Sequence, residues 1–117
     1  MDARKIVVNT ISNGGATVGW DDHVPSEGYM VSVYPKLARV IPLTQFDSRT
    51  VSDFIEDCAH ILSRERHYLG TWVEDNDVHL DISVCEPSLS TALMLARRWE
   101  QLAVFDLDMS QTIYVTA

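Results

Sequence analysis

Apolar residues recur along this chain at two spacings, and the changes from one to the other mark out its elements. Val51, Phe54, Ile55, Cys58, Ile61 and Leu62 fall three or four residues apart, which is one continuous stripe on a helix. Asp47, Ser48 and Thr50 offer N-caps before it, and Thr50 with Asp53 has the spacing of a capping box. Arg64 and Arg66 follow near its end, where cations suit the helix dipole. A second helix opens at Pro87-Ser88, with Leu89, Ala92, Leu93, Ala96 and Trp99 as its core stripe and Leu95 and Leu102 widening the apolar surface.

Elsewhere the period is two. Val78, Leu80, Ile82 and Val84 face one side of a strand, and His79, Asp81, Ser83 and Cys85 face the other, as in an antiparallel sheet with one buried face. Tyr68 to Glu74 is the preceding strand of the same hairpin, with Asp75-Asn76-Asp77 turning between them. Tyr29, Val31 and Val33 alternate with Met30, Ser32 and Tyr34, which predicts another strand. Arg39 to Leu43 reads as its return strand, short or at an edge because of Pro42. Ala103 to Leu107 and Thr112 to Val115 close the chain as strands around the turn 108–111. At the start, Ile6 to Ile11 is β-rich and predicts a strand, Asn13-Gly14-Gly15 a turn, and Ala16 to Trp20 a second strand completing a hairpin. Asp21 to Gly28 is a loop.

The order is therefore β-β-β-β-α-β-β-α-β-β. It predicts an α+β fold, an antiparallel sheet with two helices packed on one face. With 117 residues, 46% apolar, 22% charged and no linker, the chain is expected to form a single domain over residues 1–117. No apolar run reaches the roughly 20 residues of a membrane span, and the N-terminal stretch lacks the apolar core of a secretory signal, so a cytoplasmic location is expected. Cys58 and Cys85 are isolated and read as buried thiols rather than a disulfide framework.

Charge is uneven. The net charge is −8, and residues 67–117 hold only Arg97 and Arg98 against eight acids. Between His67 and Ala96 there is no Lys or Arg. A field of that sign repels nucleic acid and attracts basic partners.

The densest polar constellation is Asp75-Asn76-Asp77-Val78-His79-Leu80-Asp81. On a strand Asp77, His79 and Asp81 share a face, and carboxylates with an imidazole suit a divalent metal. The segment is not an EF-hand loop, since the Gly at position 6 and the Glu at position 12 are absent. A solvated polar face explains it without a metal. Gly14 and Gly19 have a phosphate-loop spacing, but Trp20 and Asp21 stand where the Lys and hydroxyl residue belong. Cys58 and His60 point apart on a helix, and the chain contains no Gly-x-Ser-x-Gly, Cys-x-x-Cys or His-Glu-x-x-His. No catalytic residue and no cofactor are expected. Trp20, Trp72 and Trp99 are candidate anchors, with Trp99 assigned to the core and Trp20 and Trp72 each beside an acidic stretch.

Tyr68-Leu69-Gly70-Thr71-Trp72, Val78-x-Leu80-Asp81-Ile82-Ser83-Val84 and Gln101 to Leu107 together resemble small proteins of phages and mobile elements. Some small acidic proteins from that source, anti-CRISPR proteins among them, inhibit host defence. The resemblance implies a non-enzymatic inhibitor that covers a basic, nucleic-acid-binding surface of a host defence complex, such as a CRISPR-Cas effector subunit, without binding nucleic acid or membrane itself. The residues expected to carry it are Glu74, Asp75, Asp77 and Asp81, with Asp21 and Asp22 as a second patch and Trp72 as an anchor. Two alternatives stand beside it: a metal-dependent enzyme or metal-binding domain using Asp77, His79 and Asp81, and a module that forms homodimers through an edge strand, Arg39 to Leu43 or Thr112 to Val115.

Overall fold

The computed structural model describes residues 1–116. The chain begins with helix α1 (Ala3–Asn13), followed by strands β1 (Gly15–Gly19), β2 (Tyr29–Ser32) and β3 (Arg39–Pro42). Helices α2 (Ser48–Asp57) and α3 (Ala59–Leu62) precede the long hairpin of β4 (His67–Glu74) and β5 (Asp77–Glu86). Helix α4 (Leu89–Arg98) and strands β6 (Ala103–Asp106) and β7 (Gln111–Tyr114) complete it.

The fold is α+β, with a seven-stranded sheet in the order β1-β4-β5-β2-β6-β7 and every pairing antiparallel. The seventh strand, β3, lies beside β5 on the same flank as β2. Strand β5 thus changes neighbour along its length. Residues 77–80 pair with β3, and residues 83–86 pair with β2.

Alternation along β5 places Val78, Leu80, Ile82 and Val84 on one face, as the sequence predicts. That face carries two adjoining clusters. In one, Ile6 of α1, Val51 and Phe54 of α2 and Leu62 of α3 pack on Leu69, Leu80 and Ile82. In the other, Ala92 and Ala96 of α4 pack on Val31, Val84 and Val104. All four helices therefore cover one face of the sheet. Fully burying a Val, Leu, Ile or Phe side chain in these clusters stabilises the fold by about 1.5–3 kcal/mol.

The first element departs from expectation. Residues 3–13 are helical, not a strand. The Asp2 side chain accepts the Lys5 backbone N–H and caps the N-terminus, and Gly14 at φ 81° ends the helix in the left-handed conformation. Ile6 and Thr10, four apart, are its buried positions. The Thr10 hydroxyl donates to the Ile6 carbonyl at 2.7 Å and meets the Thr71 hydroxyl of β4 at 2.5 Å. Asn13-Gly14 is thus a helix cap rather than a hairpin turn, and β1 pairs with β4.

Three finer assignments also move. The first predicted helix breaks at Cys58 into α2 and α3, with the stripe still facing the core. Its capping box joins Asp47 and Thr50 rather than Thr50 and Asp53. Trp99, assigned to the core, is the C-cap of α4 and 41% exposed, because the helix ends one residue before it.

Candidate functional site

The face of the sheet opposite the helices collects the polar half of each strand. Along β5 it carries Asp77, His79, Asp81, Ser83 and Cys85, and along β4 it carries Tyr68, Gly70, Trp72 and Glu74. Cross-strand register sets Glu74 beside Asp77, Trp72 beside His79, and Gly70 beside Asp81.

At the hairpin tip, Glu74, Asp75 and Asp77 are exposed and adjacent. Asp75 turns the chain at φ 54°, a conformation that Asp and Asn tolerate better than most residues. Behind the tip, the Trp72 and His79 rings stack with centroids 3.9 Å apart and planes 11° from parallel. His79 Nε2 lies 3.5 Å from Glu74 Oε2. The stack fixes the orientation of Trp72 while leaving it 42% exposed.

Beyond the stack a cavity of about 650 Å³ opens on the same face. Met30, Phe105 and Trp72 supply apolar wall, and the loop 20–28 crosses one end, with its Pro25 buried and lining the space. Thr17, Ser83, Asn9 and Asn13 add neutral polar groups. The one charged side chain in the lining is Asp81. Its carboxylate crosses over Gly70, where a Cβ would sit 2.5 Å from Asp81 Oδ1. Among the described residues no Lys or Arg lies at salt-bridge distance from Asp81, Asp75 or Asp77. Burial pushes the Asp81 carboxyl up to about 6, with His79 pulling weakly the other way.

The structure brings Glu74, Asp75, Asp77, Trp72 and Asp81 onto one strip. It separates Asp21 and Asp22 from them. Those two follow Gly19, which pairs with Tyr68, whereas the tip lies beyond the Gly15–Trp72 pair at the other end of β4. Asp21 accepts the His23 backbone N–H at 3.2 Å, and Asp22, at φ 66°, accepts that of Asp2 at 3.0 Å. Their carboxylates order the loop and its contact with the start of α1.

Asp77, His79 and Asp81 do share a face, but among the described residues no group of three His, Cys, Asp or Glu side chains is placed to hold a metal ion. Burial raises both thiols, Cys58 in the core and half-buried Cys85, whose Sγ–H donates to the Glu27 carbonyl at 3.4 Å. Neither has the electropositive setting that makes a thiolate nucleophile.

A second polar network lies on the helix side. The Tyr34 hydroxyl is 2.8 Å from His67 Nε2, His67 Nδ1 is 2.9 Å from the Glu65 carbonyl, and Arg64 donates to the Tyr34 oxygen at 3.3 Å. The carbonyl takes the Nδ1 proton, so in the neutral imidazole Nε2 accepts from the Tyr34 hydroxyl. This chain ties β4 to the segment after β2. No local pattern announces it, since Tyr34 lies 30 and 33 residues from Arg64 and His67.

Among the described residues no helix is long and apolar enough to cross a membrane. No family model, curated protein or solved structure matches the chain.

Proposed function

We propose that this protein is a non-enzymatic binding module that takes a basic protein partner on the outer face of its β4–β5 hairpin. The observation that carries the reading is the strip itself. Acids with no Lys or Arg at salt-bridge distance among the described residues flank a stacked, exposed Trp72 on one hairpin, in a chain of net charge −8. Carboxylates fixed on a sheet pair well with Arg and Lys, and an exposed aromatic among them supplies an anchor. The phage-type resemblance gives this reading its most specific form: an inhibitor that covers the phosphate-binding surface of a host defence complex.

The test is capture from a bacterial lysate containing such a complex, at low and high salt, by the wild type and by Asp75→Asn/Asp77→Lys. Asn is chosen at 75 because it tolerates the positive φ there. Recovery of a basic, nucleic-acid-handling complex that is lost at high salt and in the variant supports the reading. Equal recovery by the variant overturns the role of the tip.

Self-association has one observation of its own. Strand β7 ends the sheet order, leaving its outer edge unpaired, and Tyr114 on it is 72% exposed. Solution mass that rises with concentration would favour it.

A further inference from the structure

The geometry points to the Asp81 cavity as a receptor for one guanidinium group, the side chain of an arginine presented by the partner. This rests on the binding reading above and names the contact that would give it specificity.

Among the described residues Asp81 is the single charged group in a cavity of about 650 Å³ otherwise lined by apolar and neutral polar side chains, and no Lys or Arg lies at salt-bridge distance from it. A half-buried carboxylate without a counter-ion is costly, and the desolvation is visible in its raised proton affinity. A cation from outside removes that cost, so the cavity is complementary to positive charge.

The shape of the site favours guanidinium over ammonium. Trp72 lines the cavity, and its stack on His79 fixes the indole with one face covered and the other free for a planar cation. A guanidinium has five N–H donors in a fixed fork. Asp81 can take two of them in parallel, and the hydroxyl oxygens of Thr17 and Ser83 on the same face are acceptors for others. A guanidinium is also less strongly hydrated than an ammonium, and so enters a partly apolar site at lower cost. Met30 and Phe105 offer apolar wall for the aliphatic stem.

Gly70 has a definite place in this arrangement. With no side chain between Thr17 and Asp81 in the row across β1, β4 and β5, the carboxylate lies over bare backbone and the cavity reaches Thr17. The Asp81 cavity and the tip share one face. Asp77 and Asp81 are four residues apart on β5, about 13 Å at the usual rise, so an extended partner segment reaches both.

The experiment titrates the intact protein with N-acetyl-arginine methylamide, following the Asp81 carboxyl and Trp72 indole signals by NMR. The citrulline and lysine counterparts serve as controls. Saturable shifts at both residues are expected, with the apparent pKa of Asp81 falling by about one unit or more as the cation binds. Binding should weaken at least tenfold for citrulline, severalfold for lysine, and at least tenfold in Asp81→Asn. His79, the titratable group that acts on Asp81, should show only a secondary shift. Glu56→Gln, exposed on α2 behind the opposite face of the sheet, leaves the cavity intact and should bind the arginine amide as the wild type does. Equal binding of the citrulline compound, or full binding by Asp81→Asn, overturns the site, and equal binding of the lysine compound overturns the choice of guanidinium. Salt-sensitive capture of a basic complex by the wild type, with no response of Asp81 to arginine, overturns the cavity and leaves the tip reading standing.

Discussion

The Asp81 carboxylate lies across the bare backbone of its cross-strand partner Gly70, and a methyl group at Gly70 would fall 2.5 Å from Asp81 Oδ1. Alanine in place of a strand glycine ordinarily gains about 0.5–1 kcal/mol from lost freedom of the unfolded chain. Here the contact reverses the sign. Gly70→Ala should destabilise the wild type by about 1 kcal/mol, and should be neutral or stabilising in an Asp81→Ala background. Urea denaturation of the four proteins measures the coupling. Strict additivity would mean that the carboxylate swings clear without cost.

The same carboxyl predicts a pH dependence. Its folded-state pKa is raised from 3.8 to about 6, so the folded protein holds this proton more tightly than the unfolded chain does. The group therefore favours folding at low pH, and that contribution is lost as pH rises from about 4 to about 6. After allowance for its partial exposure the loss is about 1–2 kcal/mol. Asp81→Asn removes the titration. It should raise Tm by several degrees at pH 7.5 and by little at pH 4. An equal effect at both pH values would show that Asp81 is solvated in the native state. A variant that is more stable yet fails to bind arginine also separates the loss of a contact from the loss of the fold.

The sheet was readable in the sequence wherever burial is one-sided. Val78, Leu80, Ile82 and Val84 alternate cleanly because the helices cover only their face, and the hairpin, the two later helices and the closing strands follow from such patterns. Residues 3–13 were not readable in this way. Ile6, Val7, Val8 and Ile11 have β-branched side chains, and the element is helical because Asp2 and Gly14 cap it and Thr10 bonds across to Thr71. Local propensity gives way to caps and a tertiary contact. The acidic tip was legible as well, since the hairpin fixes which residues are neighbours. The cavity was not. It needs Asp81, Gly70, the loop at Pro25 and Phe105 together, and only the strand order β1-β4-β5-β2-β6 brings those segments to one face. Trp72 was placed beside an acidic stretch by sequence, whereas its stack on His79 depends on cross-strand register.

Gly28 closes the loop that walls the cavity, and two constraints act on it at once. Its φ is 100°, and a Cβ there would lie 2.8 Å from Cys85 Sγ and 3.2 Å from the Glu86 carbonyl oxygen. Gly28→Ala should lower stability by about 2 kcal/mol or more. Cys85→Ala in the same chain should recover only part of it, because the backbone conformation and the Glu86 carbonyl remain. Thermal melts of the single and double variants decide this, and full recovery would place the whole cost on the thiol.

The tip offers a way to tell a surface for binding from a surface for folding. Glu74 and Asp77 are direct cross-strand neighbours, and like charges so placed oppose the pairing of their strands. Asp77→Lys turns that pair into an attractive one, and Asp75→Asn keeps a residue suited to positive φ at the turn. The double variant should therefore melt at the wild-type temperature or slightly above it. If the tip meets a basic partner, affinity should nonetheless fall, and the decline of affinity with added salt should become shallower, because the variant has lost two carboxylates and gained a cation where the attraction acted. Isothermal titration at several salt concentrations against the captured complex reads both quantities. A drop in affinity with an unchanged salt slope would place the tip in the contact as a matter of shape, and remove the electrostatic account given for it.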